Sequence, residues 1–159
     1  MNNTDVFFNA IRNGDVAIVR TMTEEDLSLI QTKDQRGSTP LILATYYGHG
    51  DIATFLLEKG APVDIRDASG NTALMGVCFK GYKDLAILLL THGADVNVQN
   101  SMGATGLVYT AMFNQLEMAK LLIQNGADTS LKDDKGNTAM DYAKMQGTTD
   151  LVNLLQKTV

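Results

Sequence analysis

Two histidines, one cysteine and a few neighbouring carboxylates are the side chains best suited to bond-making chemistry in this sequence. His49 and His92 could act as general acids or bases, Cys78 as a nucleophile, and Asp141 with Tyr142 as a proton-transfer pair. Glu24, Glu25 and Asp26 could attract a cation, although an acidic run is usually a solvated surface. A catalytic site needs several such groups to converge, and no convergent constellation is visible. Neither a Gly-x-x-x-x-Gly-Lys-Ser/Thr stretch nor a His-Glu-x-x-His stretch occurs. A single cysteine excludes an intrachain disulfide and a cysteine-based zinc site. Asp34, Asp67, Asp133 and Asp134 stand at turn starts, where Asp bonds to backbone N–H groups, and that reading outweighs calcium ligation.

The elements that would position these residues recur at a fixed period. Gly37, Gly70, Gly103 and Gly136 are each 33 residues apart, as are Thr39, Thr72, Thr105 and Thr138. Gly60-Ala61, Gly93-Ala94 and Gly126-Ala127 keep that register, and so do Leu56, Leu89, Leu122 and Leu155. Each period reads as turn, helix, turn, helix, the signature of a repeat array in which each unit touches only its neighbours. Thr39 should cap a helix that has Pro40 in its first position. Gly48 and Gly60 should end the two helices of that unit with positive φ. In the fourth unit Asn114 takes the place of the helix-ending Gly, a substitution the left-handed region tolerates. Ala44-Thr45, Val77-Cys78 and Thr110-Ala111 are small or medium, which lets inner helices stack closely and makes Cys78 a buried, inert thiol. Residues 4–33 read as a degenerate first unit. Asp5 occupies its capping slot, Phe7, Ala10, Gly14, Ile18 and Met22 follow at helical spacing, and Thr23 to Asp26 form a polar end. Residues 34–66, 67–99 and 100–132 are full units, and 133–159 is a shorter last one in which Lys144 and Gln156 mark a C-terminal cap.

The formal net charge of −5 leaves no basic stripe to displace counterions, which argues against a nucleic-acid partner. No apolar run approaches the roughly 18–20 residues needed to cross a bilayer. The first residues lack a basic segment followed by an apolar core, so the expected location is the cytoplasm. The periplasm is the alternative if a leader has been removed.

Gly-Ser-Thr-Pro-Leu at 37–41, Gly48-His49, and Leu56-Leu57-Glu58-Lys59-Gly60-Ala61 together resemble the ankyrin repeat. The resemblance covers residues 34–159 firmly and 4–33 in degenerate form. It implies an all-α solenoid of helix-turn-helix units with projecting β-turn or hairpin loops, about five repeats in one domain over 1–159. His49 and His92 stand in slots that such repeats commonly fill with similar residues. The His that the family carries three residues after each Thr is replaced by Ile42, Met75, Val108 and Asp141, so a hydrogen-bond link between units through it is missing.

The resemblance also implies a non-catalytic module that binds a protein, without cofactor or metal, as a monomer. Tyr46-Tyr47, Phe79-Lys80, Met112-Phe113 and Met145-Gln146 precede each helix-ending residue, well away from the face set by Leu41, Ala44 and Thr45. In an ankyrin stack that direction is the concave groove. The alternative is that one residue of each pair packs on the adjacent repeat. Gln35, Arg36, Ser38, Ser69, Asn71, Ser101 and Met102 on the projecting turns would add a polar, adaptable rim. Adaptor and enzyme inhibitor remain open as roles. TPLILATYYGH and GNTALMGVCFKGY are similar to small solitary bacterial ankyrin proteins, some associated with catalase and peroxide defence. The rival classes are an enzyme using groove Asp and Tyr residues, such as Asp141 with Tyr142, and a homo-oligomer scaffold joined through outer-helix residues such as Ile87.

Overall fold

Short apolar stretches framed by a capping Thr and a left-handed Gly fold as pairs of short helices. The computed structural model describes residues 2–158; Met1 and Val159, the ends of the expected domain, lie outside them. The helices are α1 (Asn3–Asn13), α2 (Val16–Glu25), α3 (Pro40–Tyr46), α4 (Gly50–Glu58), α5 (Ala73–Lys80), α6 (Lys83–Thr91), α7 (Gly106–Met112), α8 (Leu116–Gln124), α9 (Ala139–Gln146) and α10 (Thr149–Lys157). A 3-10 turn, Leu27–Gln31, follows α2. The described residues hold no strand, so the projecting loops are turns. The chain divides into two compact units, one ending at Ala73 and the other starting at Leu74.

In the first unit the side chain of Thr39 accepts from the N–H of Ile42, and Pro40 occupies the first helical position. There its missing N–H leaves no bond unmade. Gly48 has φ 77°, and the N–H groups of Gly48 and His49 reach back to the carbonyls of Thr45 and Ala44, closing α3. The core is built from Phe7, Phe8 and Ile11 of α1, Val19 of α2, Leu41 and Ala44 of α3, and Ile52, Phe55 and Leu56 of α4.

Three expectations about the first repeat are corrected. Asn2, and not Asp5, caps α1: the Asn2 carboxamide oxygen accepts from the Asp5 N–H at 2.8 Å. Asp5 lies inside the first turn, where its charge faces the positive helix end. Ile18 is 41% exposed while Val19 is fully buried. Thr23 belongs to the core and not to the polar run, because its hydroxyl donates to the Val19 carbonyl at 2.7 Å and so needs no water.

In the second unit Leu74, Val77 and Cys78 of α5, Leu85 and Leu89 of α6, Leu107 and Ala111 of α7, Leu122 of α8, Ala143 of α9 and Leu151 and Leu155 of α10 are buried. Burial pushes the Cys78 thiol up to about 12, so the thiolate is absent at neutral pH. A Cβ built on Gly106 would stand 3.1 Å from the Cys78 sulfur, so the start of α7 presses on that side chain. Asn114 has φ 52° and is the one non-glycine residue with positive φ among those described. Lys144 and Gln156 are exposed.

One turn chemistry opens every projecting loop. The carboxylate or carboxamide oxygen Oδ1 of Asp34, Asp67, Asn100 and Asp133 accepts the backbone N–H groups two and four residues on, at 2.9–3.0 Å. Asn100 was not among the expected turn openers, and Asp134 is not one; its backbone N–H instead donates to the Met102 carbonyl. The second atom of the opener is used differently. Arg12 reaches Asp34 Oδ2 at 3.0 Å, Asn100 Nδ2 donates to the Tyr109 hydroxyl at 2.8 Å, and the Tyr142 hydroxyl donates to Asp133 Oδ2. Partial burial pushes the Asp133 carboxyl up. The Tyr142 hydroxyl, the N–H groups of Asn137 and Lys135 and the Lys135 charge outweigh it and hold the carboxyl below its usual range.

Leu89→Ala should cost roughly 2–5 kcal/mol in urea unfolding, as buried truncations do; a loss below about 1 kcal/mol on that scale would remove the repeat register. Tyr142→Phe should cost about 1 kcal/mol at pH 7. The Asp133 carboxyl is depressed in the folded state, so its stabilisation is full above the unfolded value near 4 and lost as pH falls below it. The gap between wild type and Tyr142→Phe should therefore close in acid titrations monitored by denaturation, and a gap that persists unchanged at low pH would contradict this.

Candidate functional site

The residue before a left-handed helix end points out of the helix pair, and in three repeats that position or its neighbour is aromatic. In the first unit Tyr46 and Tyr47 end α3 with 38% and 46% exposure and meet edge to face at 5.6 Å between ring centroids. Tyr47 lies nearly parallel to the His49 ring, 6.3 Å away. A recess of about 660 Å³ beside them is also lined by Arg36, Ser38, Asp67 and Ser69. In the second unit Phe79 at the end of α5 and Phe113 after α7 are each 47% exposed and meet at 5.0 Å. Tyr109, half-buried, touches Phe79 edge-on at 6.2 Å. Phe79 thus contacts the adjacent repeat and still presents half its surface to solvent.

Among the other site residues, Lys80 is exposed with its ammonium 5.9 Å from the Tyr82 ring centroid, and Met112 is half-buried. Gln35, Arg36, Ser69, Ser101 and Met102 are exposed and Asn71 is half-buried. Ser38 is a correction: it is only 7% exposed, because its N–H is drawn in to Asp34 Oδ1, so it lies in the recess and not on a rim. Met145 and Gln146 are exposed.

The chemically capable residues are occupied by structure. His49 Nε2 is 3.1 Å from the Arg12 carbonyl, and its ring covers Gly14, where an added Cβ would come within 2.8 Å of it. Gln115 performs the same task in the second unit, donating to the Cys78 carbonyl at 2.8 Å and covering Gly81. The 33-residue register aligns Gln115 with Tyr82 and, one period earlier, with His49, so the equivalence is legible in the sequence. His92 Nδ1 lies 2.9 Å from the Leu88 carbonyl at the end of its own helix. Asp141 and Tyr142 do not act on each other: Asp141 closes a capping box with Thr138, and Tyr142 turns to Asp133. The backbone N–H and hydroxyl of Thr138 hold the Asp141 carboxyl below its usual range. The described residues contain no group of three or more His, Cys, Asp or Glu that could hold a metal ion. None of the described helices is long and apolar enough to cross a membrane.

Sequence reasoning missed Tyr109, which shares its slot with Tyr142, and the side chains that tie repeats together. Asn97 is one: it donates to the Gly126 carbonyl and accepts from the Asp128 N–H. Gln99, donating to the Lys132 carbonyl, is another.

A family model described as ankyrin repeats (3 copies) matches residues 7–100 and 74–158. The chain is 38% identical over 64 residues to BTB/POZ domain-containing protein 3 of Schizosaccharomyces pombe, covering 38% of this chain and 12% of that protein. It is 35% identical over 63 residues to protein fem-1 homolog C of Xenopus laevis, covering 36% of this chain and 10% of the relative. With the human protein fem-1 homolog C it shares 36% over 56 residues, 33% of this chain and 9% of the other. The aligned region is thus about a tenth of each relative's length. Ankyrin repeats are in general protein-interaction modules and typically non-catalytic. With a family model matched across nearly its whole length, this chain belongs to the ankyrin-repeat family.

Proposed function

We propose that this protein binds a protein partner, without catalysis, through the aromatic ends of its first helices and the turns beside them. The observation that carries the reading is the half-exposed rings: Tyr46 and Tyr47 in one unit, Phe79 and Phe113 in the other, held in mutual edge contact. Such rings bring large rigid contact area with little entropy to lose, and aromatics are the usual anchors of protein interfaces. Gln35, Arg36 and Ser69 beside the tyrosines, and Ser101 and Met102 on a turn of the second unit, supply adaptable contacts around them. A net charge of −5 favours a protein surface over a phosphate backbone. Adaptor and inhibitor would both use this surface.

The test places a photo-crosslinking amino acid at position 47, 113 or 87 in cells of the source organism. Partner adducts should form at 47 and 113 and not at Ile87, whose helix face is the rival self-association surface. Phe113→Ser should sharply reduce the adducts at position 47, and Tyr47→Ser those at position 113, while each changes the unfolding free energy by less than about 1 kcal/mol, as exposed substitutions do. A large stability loss with adducts retained, or self-adducts through position 87 alone, would overturn the reading.

A further inference from the structure

We propose that the recess of the first unit receives an arginine side chain of the protein partner. This rests on the protein-binding reading above and adds the chemical group recognised. The turn-opening residues use their second side-chain atom unequally. Asp34 is fully committed, Oδ1 to the N–H groups of Arg36 and Ser38 and Oδ2 to Arg12 at 3.0 Å. Asn100 and Asp133 likewise pair their second atom with Tyr109 and Tyr142. Asp67 spends Oδ1 on the N–H groups of Ser69 and Asn71, at 2.9 and 3.0 Å, while Oδ2 has no hydrogen bond or ion pair among the described residues. In sequence, the slot nine residues on, tyrosine in the two later repeats, is Gly76, which has no side chain to offer.

Asp67 lines the same recess of about 660 Å³ as Ile42, Leu43, Tyr46 and Tyr47. One open carboxylate oxygen, two aromatic rings and two aliphatic side chains match the parts of an arginine. Its planar fork donates to a carboxylate, its faces stack on aromatic rings, and its three-methylene stem packs on apolar surface. Lysine offers the charge without the plane or the fork. The field of the unit supports a cation: up to Ala73 the sequence has 6 Lys and Arg against 10 Asp and Glu, a net of −4, and after it 7 against 8, a net of −1. Two arginines already line the recess: the charge of Arg12 is met by Asp34, whereas the Arg36 side chain makes no ion pair within the described residues. It disfavours a bare cation and can donate to the backbone carbonyls that flank an arginine in a peptide. The ligand is therefore a peptide-borne arginine and not a free guanidinium.

The test is titration of the full chain, followed by amide resonances in two-dimensional NMR, with four blocked tripeptides: acetyl-Gly-Arg-Gly-amide and its Lys, Glu and Leu counterparts. The arginine peptide should give saturable shifts at Tyr46, Tyr47, Asp67 and Ser69, with the lysine peptide weaker and the other two without effect. Asp67→Asn should weaken the arginine peptide roughly tenfold, the loss of one charge-assisted contact. That variant keeps the turn, since Asn100 opens the equivalent turn with the same two backbone bonds. Arginine shifts that survive Asp67→Asn, equal shifts from the leucine peptide, or tighter binding of the glutamate peptide at Arg36 would overturn the proposal. No partner is used, so this can fail while the crosslinks at 47 and 113 stand, and the reverse holds too.

Discussion

Helices of seven to nine residues do not hold together alone in water, because nucleating a turn costs more than so few backbone bonds return. Every repeat after the first therefore depends on burying its apolar face against another helix pair. The inner-helix residues that permit close approach, Ala44-Thr45, Val77-Cys78 and Thr110-Ala111, are fully buried. Where a hydroxyl is buried with them, it is satisfied on its own helix: Thr45 donates to the Leu41 carbonyl and Thr110 to that of Leu107. Small side chains without open polar atoms are what the stacking requires.

Apolar burial is non-directional, so polar contacts must fix which residue meets which. They do so without the histidine of the usual ankyrin pattern. In the first unit the Ala68 N–H donates to the Arg36 carbonyl, Lys33 Nζ to that of Arg66, and the His49 ring meets Arg12. In the second the Asp134 N–H meets Met102, Gln99 meets Lys132 and Gln115 meets Cys78. Each joins one repeat to the next through a backbone carbonyl, a group present whatever the sequence. Different side chains can therefore do the same joining, which is why no single residue type marks these links.

Period and caps were legible because they are local: Thr39 needs only Ile42 three residues on, and Asn114 needs only its own φ. The misjudged residues are those decided by something distant or by the absence of it. Ile18 follows the helical spacing of Ile52, yet one is open to solvent and the other buried. Thr23 reads as polar until its hydroxyl is paired within the helix. Ser38 reads as a turn residue until the Asp34 carboxylate draws its backbone inward. At the helix ends, the exposure of Tyr46, Tyr47, Phe79, Lys80 and Phe113 follows from helix geometry, whereas Met112 is half-buried. The contact of Phe79 with Phe113 does not follow from it, since it joins two repeats.

The last residues of the first helices separate what folding demands from what it leaves free. The slots read Tyr-Tyr, Phe-Lys, Met-Phe and Met-Gln in successive repeats. Lys80, Met145 and Gln146 stand there exposed, so the helix end closes just as well with a cation or an amide as with a ring. Closure depends on the left-handed residue that follows, at Gly48, Gly81, Asn114 and Gly147, and those four all have positive φ. A ring at 47, 79 or 113 thus brings apolar surface to a position that folding leaves free. The turn openers divide in the same way, atom by atom. Oδ1 is bound identically in all four, and the second atom is bound to a cation, a hydroxyl or nothing. The invariant half makes the turn, and the variable half is where one repeat can differ chemically from the next. Tyr46, Tyr47 and the open oxygen of Asp67 fall within one unit and line one recess, so the freedom left by the fold is concentrated there.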